Sequence, residues 1–176
     1  IIDAFLDLSL EEGLDTEFQT SSTNGDEQAV AEIIRSPYVL VGQSDAGAHL
    51  IYDAGFGYAT RLLGYWIREK QIMSLEEGVR KLTFMVASIF GLANRGLLRK
   101  GMAADVCLFD PATVREGDAE MVQDLPGNEK RFIQRATGIE MTIVNGEVLV
   151  EKDQHPGALP GAVLGGGNGH SLQAAA

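Results

Sequence analysis

The chain has 176 residues, 45% hydrophobic and 22% charged, and its 14 Lys and Arg against 25 Asp and Glu leave a net charge of −11. That length excludes a complete (β/α)8 barrel, which takes about 250 residues, and the apolar content excludes an intrinsically disordered chain. The acidic balance, with a pI of about 4.6, argues against nucleic acid and anionic membrane surfaces as partners.

No secretory or membrane-spanning run is visible, and the single cysteine, Cys107, fits a reducing, cytoplasmic setting. The chain opens at Ile1 without a methionine, inside a helical pattern of Ile2, Phe5 and Leu6. That start reads either as a trimmed domain or as a fragment of a longer protein. The helix is expected to stop at Gly13, and Thr16–Thr20 has the makings of a short strand.

Asn24 to Glu27 has the spacing of a capping box. The helix after it places Val30, Ile33 and Ile34 on one face and should end at Ser36, because Pro37 disfavours helical geometry in the residue before it. Tyr38–Val41 is a short apolar run without alternation, which reads as a strand buried on both faces under helices. A loop of small and polar residues follows, Gly42 to His49.

A helix over Thr60–Lys70 carries Leu62, Leu63, Trp66 and Ile67 at helical spacing. Ser74 and Glu77 form a second capping box, in which the Glu77 side chain is expected to reach back. Leu75, Val79, Leu82 and Val86 then make one buried stripe, stopped at Gly91. Asp105–Pro111 is expected to be a short buried strand with Cys107 in the core. Thr113–Lys130 reads as a polar loop. Asn145-Gly146 sits between two alternating runs and predicts a hairpin, since both turn residues must tolerate positive φ. From Asp153 the composition turns to Gly, Ala and Pro, ending in the glycine run at 165–169, and reads as a flexible tail.

Asp45 falls just past the apolar run at Tyr38–Val41, the end of a strand where α/β folds build active sites. Its carboxylate can ligate a metal, take a proton, or simply cap the next turn. His49, four residues on, can pair with it or be satisfied by a backbone carbonyl. An Asp-x3-His pair is short of the three protein groups that a zinc site needs. His155 and His170 read as solvated, and Arg61 and Arg68 as helix-surface charges.

Three stretches, taken in order, carry a resemblance. They are Val41 through His49; Leu75 through Gly91 leading into Asn94-Arg95-Gly96-Leu97-Leu98-Arg99-Lys100-Gly101-Met102-Ala103-Ala104-Asp105; and Phe109-Asp110-Pro111 with Val144-Asn145-Gly146. Together they resemble the carboxyl-terminal part of the amidohydrolase superfamily, in the branch of D-aminoacylases and N-acyl-D-amino-acid deacylases (amidohydrolase family 3).

The resemblance implies an α/β fold: residues 1–100 as the last βα units of a metal-dependent (β/α)8 barrel, 101–152 as strands of a small β-sandwich, and 153–176 as a tail. It implies zinc as cofactor, Asp45 as general base and metal ligand, and Ser44, Gly47 and His49 as substrate-binding residues. The remaining ligands, among them a His-x-His, precede His49 in such proteins and are absent here. This favours the fragment, with the rest of the protein as a partner, a small-molecule amide as substrate, and a second copy as a candidate neighbour. D-aminoacylases also place an arginine after the aspartate to grip a substrate carboxylate. This chain has neither Arg nor Lys between Asp45 and Arg61, while Tyr52, Asp53, Phe56 and Tyr58 suggest an aromatic wall. A non-catalytic scaffold or binding module, and a cyclic amidase or deaminase of the same superfamily, are the rival readings.

Overall fold

A computed structural model of the chain describes residues 1–16, 18, 24–52 and 55–164 and combines helices with antiparallel sheets. The chain divides into two compact units, residues 1–33 and 34–176. No helix among the described residues is long and apolar enough to cross a membrane. The glycine run at 165–169, His170, and positions 17, 19 and 20 of the expected Thr16–Thr20 strand lie outside the described residues.

In the first unit, helix α1 (Ile2–Glu11) buries none of its residues. Gly13, at φ +65°, lets the chain turn out of the helix as expected, and Leu14 N–H closes the turn on Ser9 O at 2.7 Å. Phe5 meets Phe18 with ring centroids 4.4 Å apart. Helix α2 (Glu27–Arg35) is capped by Asp26, not by Asn24: Asp26 Oδ1 accepts from Gln28 N–H at 3.0 Å and Ala29 N–H at 3.1 Å. Asn24 is left-handed, at φ +57°, and so lies outside the cap position. Ala31 is the residue of α2 that is buried, whereas Ile33, expected on the inner face, is exposed. The helix ends before Ser36-Pro37, as the proline requires.

In the second unit, Tyr38–Val41 is not a strand. A strand needs a ladder, and every ladder among the described residues is antiparallel and made by segments after residue 105. The carbonyls of Ser36 and Val39 instead accept hydrogen bonds from Lys81 Nζ. Helix α3 (Tyr58–Arg61) runs directly into a π-wound segment, Leu62–Glu69, that buries Leu62, Leu63, Gly64, Trp66 and Ile67. This is the apolar set expected for a helix over 60–70.

Helix α4 (Leu75–Leu82) starts on Ser74, whose Oγ accepts from Glu77 N–H at 3.2 Å. The expected return of the Glu77 side chain does not occur. Arg80 captures it through two 2.8 Å bonds, and that hydrogen bonding holds the carboxyl below its usual range. The single helix expected through Gly91 breaks at Thr83, whose hydroxyl bonds back to Val79 O at 2.7 Å, a contact that bends helices. Helix α5 (Phe84–Ile89) follows, and Gly91, at φ +71°, closes it. The deepest positions are Gly78, Lys81, Met85 and Ala87; the expected stripe of Leu75, Val79, Leu82 and Val86 is half-buried beside them.

Strands β1 (Val106–Phe109), β4 (Ile139–Val144) and β5 (Glu147–Glu151) form one antiparallel sheet in the order β1-β4-β5. The Asn145-Gly146 turn joins β4 to β5 with φ of +48° and +86°, as the sequence predicts. Strand β1 is less buried than expected: Cys107 is exposed and Leu108 half-exposed, although apolar surroundings still push the Cys107 thiol pKa upward.

Thr113–Lys130 is not a loop. It holds strand β2 (Arg115–Leu125) and the start of β3 (Glu129–Thr137), paired as a hairpin across Pro126–Asn128. Gly127 and Asn128 turn at φ +78° and +60°, and Asp124 and Arg131 add two 2.7 Å bonds near the turn.

The helices and strands of this unit meet at Val114, which is fully buried. Gly64 comes so close that a Cβ there would stand 2.5 Å from Val114 O, and a Cβ on Gly138 would stand 2.5 Å from Val114 N. Arg68 Nη1 donates to Val114 O at 2.5 Å, and Val114 N–H donates to Asp110 O at 2.8 Å. The two nearest atoms facing Gly64, Val114 O and Arg115 Cα, are backbone and cannot swing aside. Gly64→Ala is therefore expected to lower stability by about 1–3 kcal/mol, the usual cost of overpacking. A thermal or urea melt checks this, and an unchanged midpoint would contradict the close approach.

Candidate functional site

The Gly42–His49 loop is built mostly from small residues, and its backbone is folded by local bonds. Ser44 Oγ accepts from Ala46 N–H at 3.3 Å, and Asp45 O accepts from Ala48 N–H at 3.1 Å. Gly47 sits at φ +85°, a conformation that glycine adopts without steric cost, and a Cβ there would stand 3.7 Å from Phe56 Cε1. His49 O accepts from Tyr52 N–H at 3.1 Å, and the two rings lie 5.6 Å apart. Asp45, Gly47 and His49 are exposed and Ser44 is half-buried. All four candidate residues thus lie in one loop, with the Asp45 carboxylate reachable from solvent.

The loop is tethered on both sides. On the incoming side, Lys81 Nζ of α4 donates to Ser36 O at 2.6 Å and Val39 O at 3.1 Å. On the outgoing side, Phe132 N–H of β3 donates to Leu50 O at 2.7 Å. The next turn is held by the same hairpin: Gln134 Oε1 accepts Gly57 N–H at 2.7 Å, while its Nε2 donates to Gly117 O at 3.0 Å. Lys81, Phe132 and Gln134 escape a reading of the sequence. The first is a cation at a core position, and the other two lie in a hairpin whose signal was the Pro126-Gly127-Asn128 turn.

Tyr52, Phe56 and Tyr58 are exposed around the loop, and Asp53 lies outside the described residues. Arg61 is ion-paired with Glu116 and stacked over Tyr65, 4.6 Å from the ring centroid. Arg68 is turned to Val114 O and Glu69 rather than lying idle on the helix surface. His155, exposed as expected, accepts Gly157 N–H through Nδ1 at 3.0 Å.

Among the described residues no three His, Cys, Asp or Glu side chains gather as a metal cage. Asp45 and His49 offer two donors, short of the three protein ligands of a zinc site, so the donor set of the described residues does not by itself fit that ion.

A family model described as an amidohydrolase family matches residues 7–150. The N-acyl-D-aspartate deacylase of Alcaligenes xylosoxydans xylosoxydans is 32% identical over 147 residues, covering 81% of this chain and 27% of that protein. The N-acyl-D-glutamate deacylase of the same organism is 35% identical over 143 residues, covering 79% and 27%. A crystal structure of N-acyl-D-glutamate deacylase from Bordetella bronchiseptica, complexed with zinc and a phosphonate inhibitor that mimics the tetrahedral intermediate, is 33% identical. It superposes with a TM-score of 0.47 over 66% of this chain and 21% of that one. The chain spans about a quarter of the length of the curated relatives it matches.

Gln134 ties the Gly55–Gly57 turn to the hairpin through two backbone groups. Gln134→Leu strands both, and stability is expected to fall by about 1–3 kcal/mol. Urea denaturation of the variant checks the value, and a loss below about 0.5 kcal/mol would show that neither bond matters.

Proposed function

We propose that this chain, which belongs to the amidohydrolase family, is the part of an amide-hydrolysing enzyme that carries its proton-transfer carboxylate, Asp45. The match over residues 7–150 carries the reading, and the relatives that are deacylases of N-acyl-D-amino acids give the substrate class: a small molecule with an N-acyl amide. In the whole protein, residues 1–100 contribute the last βα units of a (β/α)8 barrel. Residues 101–152 contribute strands of a β-sandwich, and 153–176 form a tail.

The role of Asp45 follows from its chemistry. Amide hydrolysis joins a water oxygen to the carbonyl carbon and breaks the C–N bond. The attacking water must lose a proton and the leaving amine must gain one. A carboxylate on the loop accepts the first and returns it to the amine nitrogen, leaving a carboxylic acid and an amine. Ser44, Gly47 and His49 share the loop and bind the substrate beside it. Of these three, the Ser44 hydroxyl and the His49 ring can form hydrogen bonds, and Gly47 admits close approach.

Zinc is the metal that the family resemblance implies. Its cage needs ligands from outside this chain, with Asp45 the side chain assigned towards it from within. Arg61, engaged with Glu116, is not poised as a carboxylate grip. The reading therefore extends to N-acyl amides without a second charge as well as to N-acyl-D-amino acids.

In the whole protein, Asp45→Asn is expected to lower kcat by at least about 100-fold while leaving the melting temperature within about 2 °C. Steady-state kinetics on N-acyl-D-amino acids and neutral N-acyl amides, beside a thermal melt, makes the test. Retention of more than about a tenth of the activity would remove Asp45 from the base role.

A further inference from the structure

We propose that Lys81 is a positioning residue for Asp45, its buried ammonium holding the backbone that leads into the Asp45 loop; this rests on the role given to Asp45 above. Lys81 is fully buried on α4, between Gly78 and Met85. Burying an ammonium is costly unless strong acceptors surround it. Its acceptors are two main-chain carbonyls, Ser36 O at 2.6 Å and Val39 O at 3.1 Å. The acid whose charge reaches it, Glu77, is occupied by Arg80. Burial accordingly pulls the Lys81 pKa below its ordinary value. An apolar residue of similar length would fill the space without that cost. What the ammonium adds is the grip on residues 36–39.

Beside that grip, the segment's bonds are local, Tyr38 N–H to Ser36 Oγ and Val39 N–H to Ser36 O, each at 3.3 Å, with Arg35 Nε on Ile72 O at 3.0 Å just before it. Pro37 has no N–H to donate, the Tyr38 ring is exposed, and Val39–Val41 has no ladder among the described residues. Asp45 follows Val39 by six residues, and the loop is pinned again at Leu50 by Phe132 N–H. With both ends held, the carboxylate has a defined place. With the Lys81 end released, the loop pivots on Leu50.

The test compares Lys81→Met with Val79→Ala in the whole protein. Val79 is half-buried on the same helix and its side chain has no hydrogen-bond donor, so it reports ordinary damage to the core. Lys81→Met is expected to lower kcat at least about tenfold beyond Val79→Ala, with KM within about twofold of wild type. Amide hydrogen exchange over residues 38–49 is expected to speed up at least about tenfold in Lys81→Met and to stay at the wild-type rate in Val79→Ala. Should Lys81→Met fail to fold, Lys81→Leu, apolar and likewise without a donor, carries the same comparison. Exchange over 38–49 no faster than in Val79→Ala, or equal kcat values in the two variants, would overturn the proposal. If the wild-type protein cleaves no N-acyl amide, the functional reading falls, and the exchange measurement alone decides the role of Lys81.

Discussion

Val114 is where the helical and β portions of residues 34–176 are joined. A fully buried valine would be an ordinary core residue if side chains alone surrounded it. Here Gly64 brings the π-wound helix against its carbonyl, Gly138 brings the end of β3 against its nitrogen, and Arg68 donates to its carbonyl oxygen. Backbone lies against backbone on both sides, so the two portions have little freedom to slide. The Asp45 loop depends on this junction, because it is tied to α4 at one end and to β3 at the other. A shift of the helices against the hairpin would pull the two tethers apart.

Features of the fold set by local chemistry were legible in the sequence. The Asn145-Gly146 turn, the Gly13 and Gly91 stops, the Ser74 cap and the apolar set on Leu62–Ile67 each follow from one or two residues acting on their neighbours. Features set by distant partners were not legible. The apolar run Tyr38–Val41 is strand-like in composition, but a strand is completed by neighbours, and the Val39 carbonyl went to a lysine on α4. Thr83 and Glu77 each had a local alternative, a hydroxyl bonding back and an arginine one turn on, that outweighed the expected continuation. The β2–β3 hairpin was missed because its polar, weakly alternating strands resemble a loop. Its turn residues carried the signal that its side chains lacked.

The candidate site divides in the same way. The loop carrying Ser44, Asp45, Gly47 and His49 could be picked out from its residue types and its order within the chain. Its supports could not. Lys81 looks like a surface charge in sequence, and only packing shows that it is buried. The division also bears on chemistry. This chain supplies a carboxylate on a tethered loop, whereas a metal cage needs donors that the described residues do not bring together. Under the proposed function the site is shared, with acid–base chemistry assigned to this segment and metal ligation to residues beyond the described ones.

The most direct measurement is a crystal structure of the whole protein with a tetrahedral phosphonate bound in place of the hydrated amide. An Asp45 carboxylate oxygen is expected within hydrogen-bonding distance of a phosphonate oxygen, about 2.6–3.2 Å. Ser36 and Val39 should still be held by Lys81. A phosphonate bound with Asp45 facing solvent and another carboxylate or histidine in its place would contradict this expectation.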